Sequence, residues 1–288
     1  GYADDGSRLW LDYKPVPPPV KLQLMNDFNS IVADTSNVTL KIAAIEFQNA
    51  FYAFTGVEIP IKKRGSSASL ILKTGKLSGK SKDEFSIRKN SRQTIVESPS
   101  EVGILYGTFY LIRLIQCGDY HSNLSVEQLP SYQLRMLNHW DNPDGTVERG
   151  YAGHSLWKWD ELPLVISPRY AEYARANASI RINAMVPNNV NASPSMLTSG
   201  FIVKLQALAN VFRPYGIRLF VAINFSSPRA IGGLDTSDPQ NPEVQKWWNN
   251  KTTEIYRHIP DFGGFLVKAN SEGLPGPQDY GHTHAQGA

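Results

Sequence analysis

The chain has 288 residues, 41% hydrophobic and 19% charged, with a formal net charge of +3, which excludes an intrinsically disordered chain and provides for two domains of ordinary size. The positive charge is dispersed, its densest cluster being Lys62-Lys63-Arg64 in a loop pattern, so the sustained basic stripe of a nucleic-acid partner is missing. No apolar run approaches the roughly 20 residues that span a bilayer, and the single cysteine, Cys117, excludes a disulfide within the chain.

Through residue 128 the pattern mixes strands and helices. Residues 21–25, Lys-Leu-Gln-Leu-Met, alternate and read as a strand. Residues 37–55 carry a helical period, and residues 68–73 read as a strand. Residues 85–89 and 94–97 form a hairpin pattern around Asn90-Ser91. Residues 101–117 are an amphipathic helix, with Ser98-Pro99-Ser100 as its cap region and Gly118 as its stop. Residues 1–128 are therefore read as an α/β N-terminal domain, with 121–130 as a linker into a second domain, residues 129–288.

From Gln133 the rhythm becomes strand then helix, repeated. Strands are expected near 134–140, 182–186, 217–225 and 263–269, and helices near 169–178, 201–212 and 243–258. Such alternation predicts a parallel sheet, and its spacing fits the first half of a (β/α)8 TIM barrel. A doubly wound sheet fits the rhythm as well, but no Gly-x-Gly-x-x-Gly or Walker sequence follows the first strand. A barrel needs about eight strands, so the chain is expected to continue past Ala288.

In the fourth strand Leu266, Lys268, Asn270 and Glu272 share one face by the period of two. Glu272 would then stand at a strand's C-terminal tip, where barrel active sites are built; the alternative is a solvated loop carboxylate paired with Lys268. Trp140, on the face of Asn138 at the end of the first strand, is either a stacking wall for a sugar ring or a core residue closing the barrel mouth. Asp141, Glu148 and Arg149 are expected to form salt bridges within the following loop. His139, His154, His282 and His284 lack carboxylate or thiolate partners at zinc-like spacing, so neither a metal nor another cofactor is expected. Trp247-Trp248 is read as helix packing.

Six segments carry a resemblance: Leu137-Asn-His-Trp-Asp-Asn, Val147-Glu-Arg-Gly-Tyr-Ala-Gly, Tyr173-Ala-Arg-Ala-Asn-Ala-Ser, Asn188-Asn-Val-Asn-Ala, Phe212-Arg-Pro-Tyr-Gly-Ile and Phe262-Gly-Gly-Phe-Leu-Val-Lys-Ala-Asn-Ser-Glu-Gly. The chain resembles glycoside hydrolase family 67, the α-glucuronidases, from about Leu9 to its last residue. The resemblance implies removal of glucuronic acid, or its 4-O-methyl ether, from the α-1,2 linkage to the terminal xylose of glucuronoxylan-derived oligosaccharides. It also implies an α/β N-terminal domain, a barrel, and a C-terminal helical region that supports a homodimer. By position, Glu272 matches the family's general acid, Lys268 a residue binding the sugar carboxylate, Trp140 a wall of the uronic acid pocket, and Val190 the neighbour of the 4-O-methyl group. The family inverts configuration, so a base carboxylate is expected from later barrel strands. His282 departs from the pattern, where Arg is expected.

Two other readings compete. A hexosaminidase-like enzyme would share the domain order but relies on an adjacent Asp-Glu pair, whereas Ser271 precedes Glu272 here. A non-catalytic uronate-binding fragment would keep Trp140 and Lys268 and act without the base. The compartment is left open, since the family includes cytoplasmic and exported members.

Overall fold

The structure is a computed structural model that describes residue 6 and residues 8–65, 67–91, 93–268, 273 and 275–287. Its contacts divide into two units, Gly1–Gln133 with Arg175–Arg181, and Leu134–Ala174 with Ile182–Ala288. Among the described residues no helix is long and apolar enough to cross a membrane.

The first unit runs α1 (Pro18–Asp27), β1 (Ser30–Val32), α2 (Val38–Thr55), β2 (Ile61–Lys62), β3 (Ser69–Thr74), β4 (Phe85–Lys89), β5 (Gln93–Ser98), α3 (Glu101–Cys117) and β6 (Ser125–Gln128). Its strands form one mixed sheet in the order β2-β1-β3-β5-β4-β6. The two long helices have the ends that their sequences advertise. Asn37 and Ser100 accept from Leu40 N–H and Gly103 N–H at the starts, and Gly56 and Gly118 close the ends in the left-handed region, at φ 71° and 81°. The hairpin is also found: β4 pairs antiparallel with β5, with Lys89 opposite Thr94.

Two expectations fail here. Residues 21–25 are helical, lying inside α1. Pro18 at the helix start has the right φ, and Leu, Gln, Lys and Met are all good helix formers. The Leu22/Leu24 alternation was no strand face, since Leu24 is fully buried while Leu22 is 64% exposed. The supposed linker 121–130 contains β6, which pairs antiparallel with β4 from Phe85↔Gln128 to Arg88↔Ser125 and closes one edge of the sheet.

The core is aromatic. Phe28 meets Phe47 edge-to-face at 5.1 Å, and both are buried with Phe51 and Phe54. A carboxylate is buried beside them. Glu46 of α2 accepts Nε and Nη2 of Arg175, each at 2.7 Å, and the Tyr13 phenol at 2.6 Å. Burial, with Glu46's negative charge second, holds the Tyr13 phenol above its ordinary range.

The second unit runs β7 (Met136–Asn138), α4 (Pro168–Ser179, its first half), β8 (Ala184–Val186), α5 (Ser199–Phe212), β9 (Arg218–Ile223), the short α6 (Ser227–Ala230), α7 (Pro242–His258), β10 (Gly264–Val267) and the short α8 (His284–Gly287). The four strands form a sheet in the order β10-β9-β8-β7, parallel throughout. Helical crossovers between neighbouring parallel strands are the expected start of a (β/α)8 barrel.

Alternation separates the sheet's faces. Met185, Leu219, Val221, Ile223 and Phe265 join the large core containing Trp157, Tyr170, Phe212 and Ile255, with Trp247 and Trp248 packed on it. Val186, Ala222 and Ala192, with Met136, Phe220 and Leu266, make a small cluster of their own. Met185, Leu219, Val221, Ile223 and Phe265, the strand neighbours of Val186, Phe220, Ala222 and Leu266, belong to the large core, so this cluster marks the opposite face of β8, β9 and β10.

In the first unit α3 lies close against β5. A Cβ added at Gly103 would stand 1.9 Å from Ser98 Oγ and 2.9 Å from the Glu84 carbonyl oxygen, and Ser98 Oγ already donates to that carbonyl at 2.6 Å. Gly103→Ala is therefore expected to destabilise the protein by about 1–3 kcal/mol through overpacking, although alanine favours a helix by roughly 1 kcal/mol over glycine. Urea unfolding of the two proteins checks this, and a stabilised variant would contradict it.

Candidate active site

The parallel register brings all four C-terminal strand ends to one edge, with Asn138 opposite Val186, Met185 opposite Leu219 and Ile223 opposite Val267. Trp140 follows β7 by two residues, Val190 follows β8 by four and Lys268 follows β10 by one. By the period of two, Trp140 belongs to the face of Met136 and Asn138, and Lys268 to that of Leu266. Glu272 lies outside the described residues.

Trp140 is 41% exposed, and its two neighbours turn the other way. The His139 ring packs on Trp157 and Tyr173, at 5.3 and 5.4 Å between centroids, and its Nε2 is 2.6 Å from the Tyr173 hydroxyl. Asp141 is buried, accepts the Ser155 hydroxyl at 2.5 Å and lies 3.6 Å from His139 Nδ1. The backbone is held as well: His139 N–H donates to Val186 and Asn189 N–H to Asp141. An exposed indole thus stands on a stretch fixed from both sides.

The loop after Asp141 folds back on itself through bridges Asp141↔Val147 and Thr146↔His154. Asp144 accepts the hydroxyl and the N–H of Thr146, which hold its carboxyl below the usual range. Glu148 sits in the left-handed region at φ 59°, a conformation costing about 1–3 kcal/mol. Its N–H donates to Trp140, and its carbonyl accepts the side-chain amides of Asn142 and Asn189. Of the three expected salt-bridge residues, Glu148 and Arg149 form a loose pair at 3.9 Å. Asp141 instead serves the buried network.

The tip of β8 is built from amides. Asn188, buried, donates to the Ala222 carbonyl and accepts the Ala222 N–H, both at 2.9 Å. Asn189, also buried, donates to Asn142 Oδ1 on the β7 side and accepts the Asn191 N–H at 2.9 Å. Asn224 donates to the Ala192 carbonyl at 3.1 Å. The Lys268 ammonium donates to Asn191 Oδ1, which joins the ends of β8 and β10.

The candidates Trp140, Val190 and Lys268 lie at this edge, joined by an amide framework of Asn188, Asn189 and Asn191 that the sequence reading did not single out. Its available signal was three asparagines within four residues directly after an apolar strand, where buried backbone groups need partners. His282 lies 3.0 Å from Asp238 by Nε2, one contact to the carboxylate where a guanidinium fork offers two. Among the described residues no group of three or more His, Cys, Asp and Glu is placed to hold a metal ion.

Comparison with known proteins bears on these elements. A model of the glycosyl hydrolase family 67 middle domain matches residues 114–288, and one of the family 67 N-terminus matches residues 9–111. The chain is 36% identical over 308 residues to the probable alpha-glucuronidase A of Aspergillus terreus (strain NIH 2624 / FGSC A1156), covering 99% of this chain and 36% of that protein. The alpha-glucuronidase A of Emericella nidulans (strain FGSC A4) is likewise 36% identical over 310 residues with the same coverage. The chain thus spans about a third of the length of these relatives. A GH138 enzyme targeting pectin rhamnogalacturonan II superposes with a TM-score of 0.61 at 20% identity, over 83% of this chain and 30% of that one. A family GH115 4-O-methyl-alpha-glucuronidase superposes with a TM-score of 0.57 at 15% identity, over 86% of this chain and 36% of that one. At those identities the superpositions show a shared fold.

Removing the Asn188 amide would orphan the N–H and carbonyl of Ala222, each costing about 1–3 kcal/mol when buried without a partner. Asn188→Ala is expected to lower the unfolding free energy accordingly, measured by denaturant titration. A change within experimental error would mean that the β8 tip does not depend on this pair.

Proposed function

The chain belongs to glycosyl hydrolase family 67, and on that premise we propose that the protein removes α-1,2-linked glucuronic acid, or its 4-O-methyl ether, from the terminal xylose of xylan-derived oligosaccharides. The observation that carries the reading is the Lys268 ammonium at the C-terminal end of β10, on the edge that Trp140 and Val190 also occupy. A cation there suits the carboxylate that distinguishes a uronic acid from a neutral hexose. Trp140 offers an exposed indole to a sugar face, and Val190 a small apolar side chain to a methyl ether.

In this reading Glu272 is the general acid. Its carboxylic proton passes to the glycosidic oxygen as the bond from that oxygen to the anomeric carbon breaks. A water attacks the opposite face and yields its proton to a carboxylate about 6.5–9.5 Å away, inverting the configuration. That base is assigned to a later barrel strand of the whole protein, since the parallel sheet of the second unit has four described strands and the chain spans about a third of its relatives' length.

The test uses the protein as its gene encodes it, with an aldouronic acid as substrate and proton NMR of the first product. The α-linked substrate should release free uronic acid initially as the β anomer. Release as the α anomer would overturn inversion, and release of xylose alone would overturn the substrate assignment.

Two variants separate the roles. Glu272→Gln should lower kcat by about 100- to 10,000-fold on the xylosyl leaving group and far less on an aryl glycoside whose leaving group needs no proton. Unchanged turnover of the natural linkage would remove Glu272 from the acid role. Lys268→Met should lower kcat/KM on the uronic acid substrate by about 10- to 100-fold, the loss of one hydrogen bond between charged groups; full retention would place the carboxylate elsewhere.

A further inference from the structure

We infer that the first unit carries a binding site for an aromatic carboxylate, a cavity of about 340 Å³ with Leu11, Phe109 and Ile112 as its floor, the Trp10 indole as a wall and the Arg113 guanidinium as the partner of the anion. All its lining residues belong to the first unit, and it shares none with the strand edge described above.

The floor is buried and the walls are not. Leu11, Phe109 and Ile112 are at most 8% exposed, whereas Trp10 and Ile180 are 57% and 47% exposed. The Trp10 indole, although exposed, is tethered. It stands in the single turn Leu9–Leu11, where its Nε1–H donates to Ser179 Oγ at 2.7 Å, and that hydroxyl donates in turn to the Ala176 carbonyl at 2.6 Å. Past the turn, the Lys14 N–H donates to Gln116 Oε1 of α3 at 3.0 Å, so the segment is tied at two points. A fixed indole beside a buried apolar floor offers a flat contact area with little side-chain entropy left to lose.

Charge fixes the other half of the ligand. Among the described residues that line the cavity Arg113 is the only charged one, and no carboxylate lines it. Its guanidinium lies over the Tyr110 ring at 4.5 Å, and among the described residues it makes no hydrogen bond or ion pair. The nearby Asp12 carboxylate is taken by Arg8 and Lys14. Stacking occupies the face of the guanidinium and leaves its N–H edges free, the geometry that grips a carboxylate through two parallel hydrogen bonds. The complementary ligand therefore carries a negative charge on a flat apolar body. The volume, at the small end of the roughly 300–1,000 Å³ usual for small-ligand pockets, suits one or two fused rings better than a long acyl chain. A neutral sugar fits poorly, since its hydroxyls would face Leu11, Phe109 and Ile112 without partners.

Cys117 gives a local readout, because it is exposed and lines the same cavity. The experiment takes the protein as its gene encodes it and follows alkylation of Cys117 by iodoacetamide, read by mass spectrometry of the peptide that contains it. The probes are 2-naphthoate, its neutral counterpart 2-naphthamide, and octanoate. At roughly ten times its Kd, 2-naphthoate should slow alkylation about 10-fold by mass action, while the amide and octanoate at the same concentration should leave it near the ligand-free rate. Arg113→Gln should weaken 2-naphthoate about 10-fold or more, the loss of one charge-assisted hydrogen bond, with the ligand-free rate unchanged as the sign that α3 is intact. If that variant alters the ligand-free rate, the comparison of acid with amide in the wild type still decides. No protection by 2-naphthoate up to its solubility limit, equal protection by the amide or by octanoate, or full affinity in an intact Arg113→Gln would each overturn the inference. So would a Cys117 that resists alkylation in the native protein, which would mean that another part of the protein covers the cavity.

Discussion

At the C-terminal end of β8 the side chain of Asn188 replaces a rung of the backbone ladder, donating to the Ala222 carbonyl and accepting its N–H at 2.9 Å each. A parallel strand that ends inside a protein leaves its neighbour's last peptide groups buried and unpaired, and an asparagine amide has the donor and acceptor of the peptide it stands for. The same device operates at the start of the strand. Asn183 accepts the Arg135 N–H through its side chain, and its own N–H donates to Arg135. With both ends satisfied by side chains, β8 needs only Ala184–Val186 as formal strand, and the chain beyond it can leave the sheet at a set place.

That departure point organises the edge where the candidate residues lie. Asn189 reaches the β7 loop, Asn191 reaches Lys268 after β10, and Ala192 is held from the end of β9. Strand alternation does the rest. His139 and Asp141 turn into the buried polar network with Tyr173 and Ser155, and Trp140 between them is presented on the other face. Exposure of a large indole on an otherwise fixed backbone suits a platform that contributes contact area with little entropy left to lose.

Much of this was legible in the amino-acid sequence, for reasons that differ by element. The helices ending at Thr55 and Cys117 announce themselves by an asparagine or serine cap and a terminal glycine, which are local signals. The strands β9 and β10 are apolar runs between helical periods, which are nearly local. By contrast, α1 was hidden because two leucines two residues apart imitate a strand face, although only Leu24 is buried. The strands β1, β2 and β6 were missed because two to four residues carry almost no period, and they exist only through partners 30 to 43 residues away in the chain. Among the candidate residues, Trp140 and Lys268 came from strand-end position and resemblance and Val190 from resemblance alone, while the asparagine framework depends on pairings across β7, β9 and β10 that no single segment reveals.

The charge arrangement gives the account its sharpest consequence. Lys268 donates to the Asn191 amide at an edge shared with an exposed tryptophan, and the proposed uronate site rests on that juxtaposition. The most direct measurement is a crystal structure of the protein, as its gene encodes it, soaked with glucuronic acid. The sugar carboxylate is predicted within roughly 2.7–2.9 Å of Lys268 Nζ, as for a charge-assisted hydrogen bond, with the pyranose ring against Trp140. A sugar bound with its carboxylate turned away from Lys268, or bound away from the C-terminal ends of β7, β8 and β10, would contradict the account.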